Sequence, residues 1–168
     1  MSTNHVVQDG SIGIDLNYIG SARTFGLGQT VKGDGGSEFM YVLFNSAVNQ
    51  GGLTKIEAGY LGSACTGANE TTSMNRLGFA QTTFAASQYG FLALAGQNVL
   101  VRTLGGAAFK GEALYTTSTL GAMSTATASS TEFQVWGVYL HSSVSATAAT
   151  ATVSTAAVSY PFLRKPKL

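Results

Sequence analysis

Two histidines, His5 and His141, one cysteine, Cys65, and the carboxylates Asp9, Asp15, Asp34, Glu38, Glu57, Glu70, Glu112 and Glu132 are the groups that could act as bases, nucleophiles or metal ligands in this chain. Histidine titrates near neutrality and is the usual proton shuttle, but these two lie at opposite ends of the sequence. Serine and threonine hydroxyls are plentiful, yet no GxSxG elbow singles one out as a nucleophile. The carboxylates are strewn along the chain with neither a catalytic nor an EF-hand spacing. "KGDGGSE" (32–38) could wrap a calcium ion through Asp34 and Glu38, but it reads first as a glycine-rich turn entering a strand. "GLGQTVKG" (26–33) lacks both GxGxxG and the GK[ST] ending of a phosphate-binding loop. A lone cysteine excludes an internal disulfide framework and a cysteine-rich zinc site. The sequon "NET" (69–71) matters only in a secreted protein. The inventory therefore predicts a protein that is not an enzyme, with no catalytic residue, metal or cofactor.

Composition points the same way. Charged residues are 10% of the 168 and the formal net charge is +1, against about a quarter charged in ordinary soluble domains. With so small a net charge, no global field recruits nucleic acid or a membrane surface, and no apolar run reaches the roughly 20 residues of a membrane span. A surface so poor in charge suits a chain that meets other protein over much of its area, because charges are depleted at interface cores. A secreted β-protein with a hydroxyl-rich exterior is the plainer alternative. The start, "MSTNHVVQDG", shows no basic flank followed by an apolar stretch, so synthesis in a cytoplasm without a signal peptide is expected.

The elements that must position these groups read as strands. "EFMYVLFN" (38–45) is apolar on both alternate sets, as in a strand covered on both faces. "LTKIEAGY" (53–60) alternates, "GSACTGANETTSMN" (62–75) reads as a polar loop, and "GFAQTTFA" (78–85) follows as a strand. "YGFLALAG" (89–96) and "NVLVRTL" (98–104) read as two strands of a hairpin turning at Gly96-Gln97. "EALYTTSTLGAM" (112–123) contains a turn at Leu120-Gly121, and its hydroxyls suit pairing across strands or across a subunit boundary. "EFQVWGVYLHSS" (132–143) is the strongest strand, with Phe133, Val135 and Tyr139 on one face and Trp136, Val138 and Leu140 on the other. Trp136 is thus expected in the core, where truncation to alanine costs about 3–5 kcal/mol. "ATVSTAAVSYPF" (151–162) closes the body, with Pro161 ending its pairing.

Seven or eight short strands with Gly, Asn and Ser turns predict an all-β single domain, a β-sandwich or small β-barrel. Residues 1–37 are expected as an extended arm, glycine-rich yet apolar at Ile12, Ile14, Leu16, Tyr18, Phe25 and Leu27. These six are the candidate adhesion residues. The body would occupy 38–163, and "RKPKL" (164–168) a solvated basic tail. His141, at a strand end, is expected to be satisfied by a backbone carbonyl or water. Cys65 reads as an inert thiol. Arg102, among apolar neighbours in "NVLVRTL", calls for an inter-subunit carboxylate or a solvated outward position.

Residues 24–140 carry a run of short words: "TFGLGQTVKGDGGSEFMYVLFNSAVNQGGLTKIE", then Tyr89-Gly90-Phe91, Gly111-Glu112-Ala113-Leu114-Tyr115, Gly121-Ala122 and Val135-Trp136-Gly137-Val138. This run resembles the capsid decoration, or head cement, proteins of tailed bacteriophages. The resemblance implies a β-rich body, usually a homotrimer, on the outer surface of the virion head, clamping neighbouring major capsid protein subunits. It carries no catalytic residues. The start of the chain and "YPFLRKPKL" fall outside the run. A tail or fibre component of a phage is the first alternative. A carbohydrate-binding β-sandwich using Trp136, Tyr139 and Tyr89 is the second, although core burial of those rings is the reading favoured by the strand pattern.

Overall fold

The computed structural model describes residues 5–6, 14–15, 17–67, 76–104, 110–125, 132–143 and 151–165, with His5, Val6, Ile14 and Asp34 described by backbone alone. Twelve strands follow one another among these residues: β1 (His5–Val6), β2 (Ile14–Asp15), β3 (Thr30–Lys32), β4 (Glu38–Phe44), β5 (Leu53–Glu57), β6 (Leu61–Ala64), β7 (Arg76–Ala80), β8 (Tyr89–Thr103), β9 (Leu114–Thr116), β10 (Met123–Ser124), β11 (Gln134–Leu140) and β12 (Thr152–Arg164). The all-β expectation holds, and the centre of the fold is a closed five-stranded barrel.

The barrel runs β4-β6-β5-β7-β8 and back to β4; β4 is parallel to β6 and the other pairs are antiparallel. Its core gathers Met40, Val42 and Phe44 of β4 with Ile56, Ala64, Ala80, Leu92 and Leu94, and with Val48 and Phe84 from the loops. Phe44 and Phe84 stack there at 3.9 Å. The alternate residues Phe39, Tyr41, Phe91 and Ala93 join a second cluster with Val101, Leu114, Met123, Val135, Val138 and Leu163. β4 is therefore covered on both faces, as its doubly apolar pattern demands.

β8 outruns the barrel. Its second half pairs with β12, β12 with β11, β11 with β9, and β9 with β10, which returns to β8 through Met123↔Thr103. The hairpin expected at Gly96-Gln97 is not formed. Gly96 pairs with Val158 and Val99 with Ala156, so Gln97 and Asn98 form a bulge, both exposed. The glycine and polar residues that resemble a turn bend one long strand rather than reversing it.

Two further expectations change. The stretch from Gly62 carries a loop pattern, yet its start belongs to β6, which lines up between β4 and β5 to close the barrel. Pro161 does not end β12, because Phe162, Leu163 and Arg164 continue to pair with Trp136, Val135 and Gln134. The proline sits at an irregularity where its missing N–H costs no ladder bond. The turn at Leu120-Gly121 does form between β9 and β10. Its threonines work inside the chain: buried Thr117 donates from Oγ1 to the Ala122 carbonyl at 3.0 Å, and Thr116 Oγ1 accepts the Phe133 N–H at 3.0 Å.

The N-terminal segment divides. Gly20 exchanges backbone hydrogen bonds with Tyr89, and β3 pairs with β4. Phe25 packs edge-on against Tyr41 at 5.1 Å, and Tyr18 and Leu27 lie against the same cluster. Residues 17–37 thus belong to the body, because their scattered apolar side chains find a groove over β4 and β8. The expected arm boundary at residue 37 moves back accordingly. β1 and β2 pair with each other and, among the described residues, with no other strand.

Candidate interaction surface

The surface with the most unusual chemistry lies on the outer side of β11 and β12. Strict alternation along β11 would put Trp136 and Tyr139 on opposite faces. The ladder instead slips between Trp136 and Val138: Trp136 pairs with Phe162, and Val138 with Val158. Gly137 takes φ 78° at the slip, and Tyr160 takes φ 44° on the facing strand. A Cβ at Gly137 would come within 2.4 Å of the Ser159 carbonyl oxygen. Only glycine fits such a bulge at that φ.

The consequence corrects the expected faces. Phe133, Val135, Val138 and Leu140 all point inward and are buried. Trp136 is 38% exposed and Tyr139 64%, with Tyr160 at 57% and Phe162 at 48%. The indole and Phe162 rings are nearly parallel, 19° apart with centroids separated by 6.1 Å. The Arg164 guanidinium lies 5.4 Å from the Trp136 ring centroid, a cation–π distance. Arg164 therefore belongs to β12 rather than to a solvated tail, while Lys165 is exposed and residues 166–168 lie outside the described residues.

Tyr160 borders the same face. Its hydroxyl donates to Glu38 Oε2 at 2.8 Å. That hydrogen bond, and then the carboxylate's negative charge, hold the Tyr160 phenol above the ordinary tyrosine value of 10.0.

The other candidates are dispersed. His141 is exposed, and its Nε2 meets the Gln97 backbone carbonyl, the partner type expected of it. Cys65 is buried in the core. Arg102 is half-buried in β8 opposite Val153, and no carboxylate among the described residues pairs with it. Asp34–Gly36 is a short 3-10 turn leading into β4, as the glycines suggested. Tyr18, Phe25 and Leu27 lie against the body; Ile14 is placed by backbone alone, opposite Val6, and Ile12 and Leu16 lie outside the described residues. Tyr89 stacks on Tyr41 at 6.0 Å, away from the exposed rings, so Trp136, Tyr139 and Tyr89 do not form one site. Among the described residues no group of three or more His, Cys, Asp or Glu could hold a metal.

Strand reading missed Phe162, Tyr160 and Arg164. Their spacing carried the signal: "YPFLR" places an aromatic, an aromatic and an arginine at every second position, one face of a strand. Set against known protein families and curated proteins, the chain matches none.

Proposed function

We propose that this chain is a structural, non-enzymatic virion protein: a decoration, or cement, protein that binds the outer surface of a phage head as a homotrimer and bridges neighbouring major capsid protein subunits. The observation that carries the reading is the β1–β2 ribbon. Its strands pair only with each other among the described residues, and a two-stranded ribbon alone is marginal in water. Such a ribbon gains stability by lying on another surface. The rest of the chain folds as a closed five-stranded barrel with further strands. The resemblance of residues 24–140 to head cement proteins supplies the partner. A ligand that binds only the assembled shell stabilises it by mass action, and a trimer adds avidity.

The test is co-sedimentation with phage capsids stripped of the protein, comparing the full chain with a deletion of residues 2–16. That deletion spares Tyr18, Phe25 and Leu27, which pack on the body. The expected outcome is saturable binding by the full chain, in copy number proportional to the capsid subunits, and at least tenfold weaker binding by the deletion. Full-strength binding without the ribbon sinks the arm; a few copies at a single vertex indicate a tail component instead.

A further inference from the structure

We infer that the outer face of β11 and β12 is a carbohydrate-binding platform for a pyranose chain, with acidic sugars favoured by Arg164. This inference does not rest on the capsid reading. It starts from the backbone: without the bulge at Gly137, Trp136 and Tyr139 would lie on opposite faces of β11. A non-glycine residue, Tyr160, holds a left-handed φ of 44° on the facing strand, a conformation that costs free energy and collects at functional sites.

The amount of apolar surface helps identify the occupant. Rings of this kind present 150–250 Å² each, so four of them at the exposures observed leave about 400 Å² open. A stable protein–protein contact needs about 800 Å² per partner. The open ring surface, about half of that total, also matches a ligand a few sugar rings long.

Its chemistry also fits. A pyranose has a weakly positive C–H face, which lies on the negative face of an aromatic ring, and a rim of hydroxyls that need donors and acceptors. Trp136 and Phe162 offer two near-parallel rings at 6.1 Å, a separation comparable to one sugar repeat. Rim partners lie in the same ladder: Gln134 pairs with Arg164, and Ser159 is exposed on β12. Arg164 already lies over Trp136, and its planar fork can meet the carboxylate of an acidic sugar in bidentate fashion.

Trp136 is the only tryptophan in the chain, so indole fluorescence reports this face alone. The full chain is titrated with neutral oligosaccharides (cello- and maltohexaose) and with oligogalacturonate, after an array of pyranose glycans has selected further probes. Saturable quenching or a spectral shift is expected, strongest with an acidic glycan. By calorimetry, Trp136→Ala and Phe162→Ala should each lower affinity at least tenfold. Arg164→Gln should weaken acidic glycans more than neutral ones, and Tyr60→Ala, an exposed ring elsewhere, should change nothing. Melting curves verify that each variant folds; should one unfold, the wild-type titration still decides. The inference is overturned if no glycan on the array binds at millimolar concentration, or if binding survives both ring deletions. It is equally overturned if stripped capsids, and not sugars, perturb the indole.

Discussion

Trp136 and Phe91 are both rings in the middle of strands, yet their truncation should have different costs. Phe91 is 1% exposed and packs among Phe25 and Tyr41, whereas Trp136 is 38% exposed. Phe91→Ala is expected to lose about 3–5 kcal/mol, the range for a buried aromatic, and Trp136→Ala about 1–2 kcal/mol. Urea denaturation of the two variants checks the order; equal losses would mean that the indole is packed after all. Tyr160 supports a pH prediction. Its folded-state pKa is raised, so the folded state favours the neutral phenol. The contribution is therefore fully present below the ordinary value of 10.0 and is lost as pH rises through the higher folded value. In an absorbance titration of phenolate, one tyrosine should ionise late. Glu38→Ala removes both the acceptor and its charge and should return it towards the ordinary range.

Among the elements, the β11–β12 pair concentrates what is unusual in the fold. Its bulge turns one strand's aromatics outward while leaving Val135, Val138 and Leu140 in the core. Gly137→Ala would set a Cβ 2.4 Å from the Ser159 oxygen and hold alanine at φ 78°. A loss of about 2 kcal/mol or more is expected from the conformation and the collision together. Gly59 is the natural control, since it has φ 76° but nothing within 4 Å of an added Cβ. Gly59→Ala should cost only about 1 kcal/mol. If the two substitutions shift the urea midpoint equally, the close approach at Gly137 does not constrain the bulge.

For the whole molecule, the charge-poor surface bears on assembly. Few charges of either sign oppose association, and the exposed rings of β11–β12 supply about half of the area that one partner contributes to a stable contact. The trimer proposed here, if it leaves these rings free for a ligand, has to use other surfaces. Light scattering at micromolar concentration should give three times the chain mass, and it should still do so for Trp136→Ala. A monomer would count against the trimer. A trimer lost on that substitution would place the aromatic face at the subunit boundary.

Strand character itself was legible in the residues. The doubly apolar run at 38–45, the turn at Leu120-Gly121 and the strand around Val135 all appear where local pattern puts them, because alternation and turn chemistry are properties of neighbouring residues. The glycine at 137 was equally visible, but not its effect. A bulge exists only against a partner strand, and the partner, Ser159 to Phe162, lies far along the chain. The same reason hid β6, whose small residues become a strand only between β4 and β5, and it turned Gly96-Gln97 from a hairpin into a bend. Sequence by itself determined that the protein is all-β and poor in reactive side chains. Tertiary structure decided which rings face outward, because the face that a strand residue takes depends on register, and register is set by pairing between segments distant in sequence.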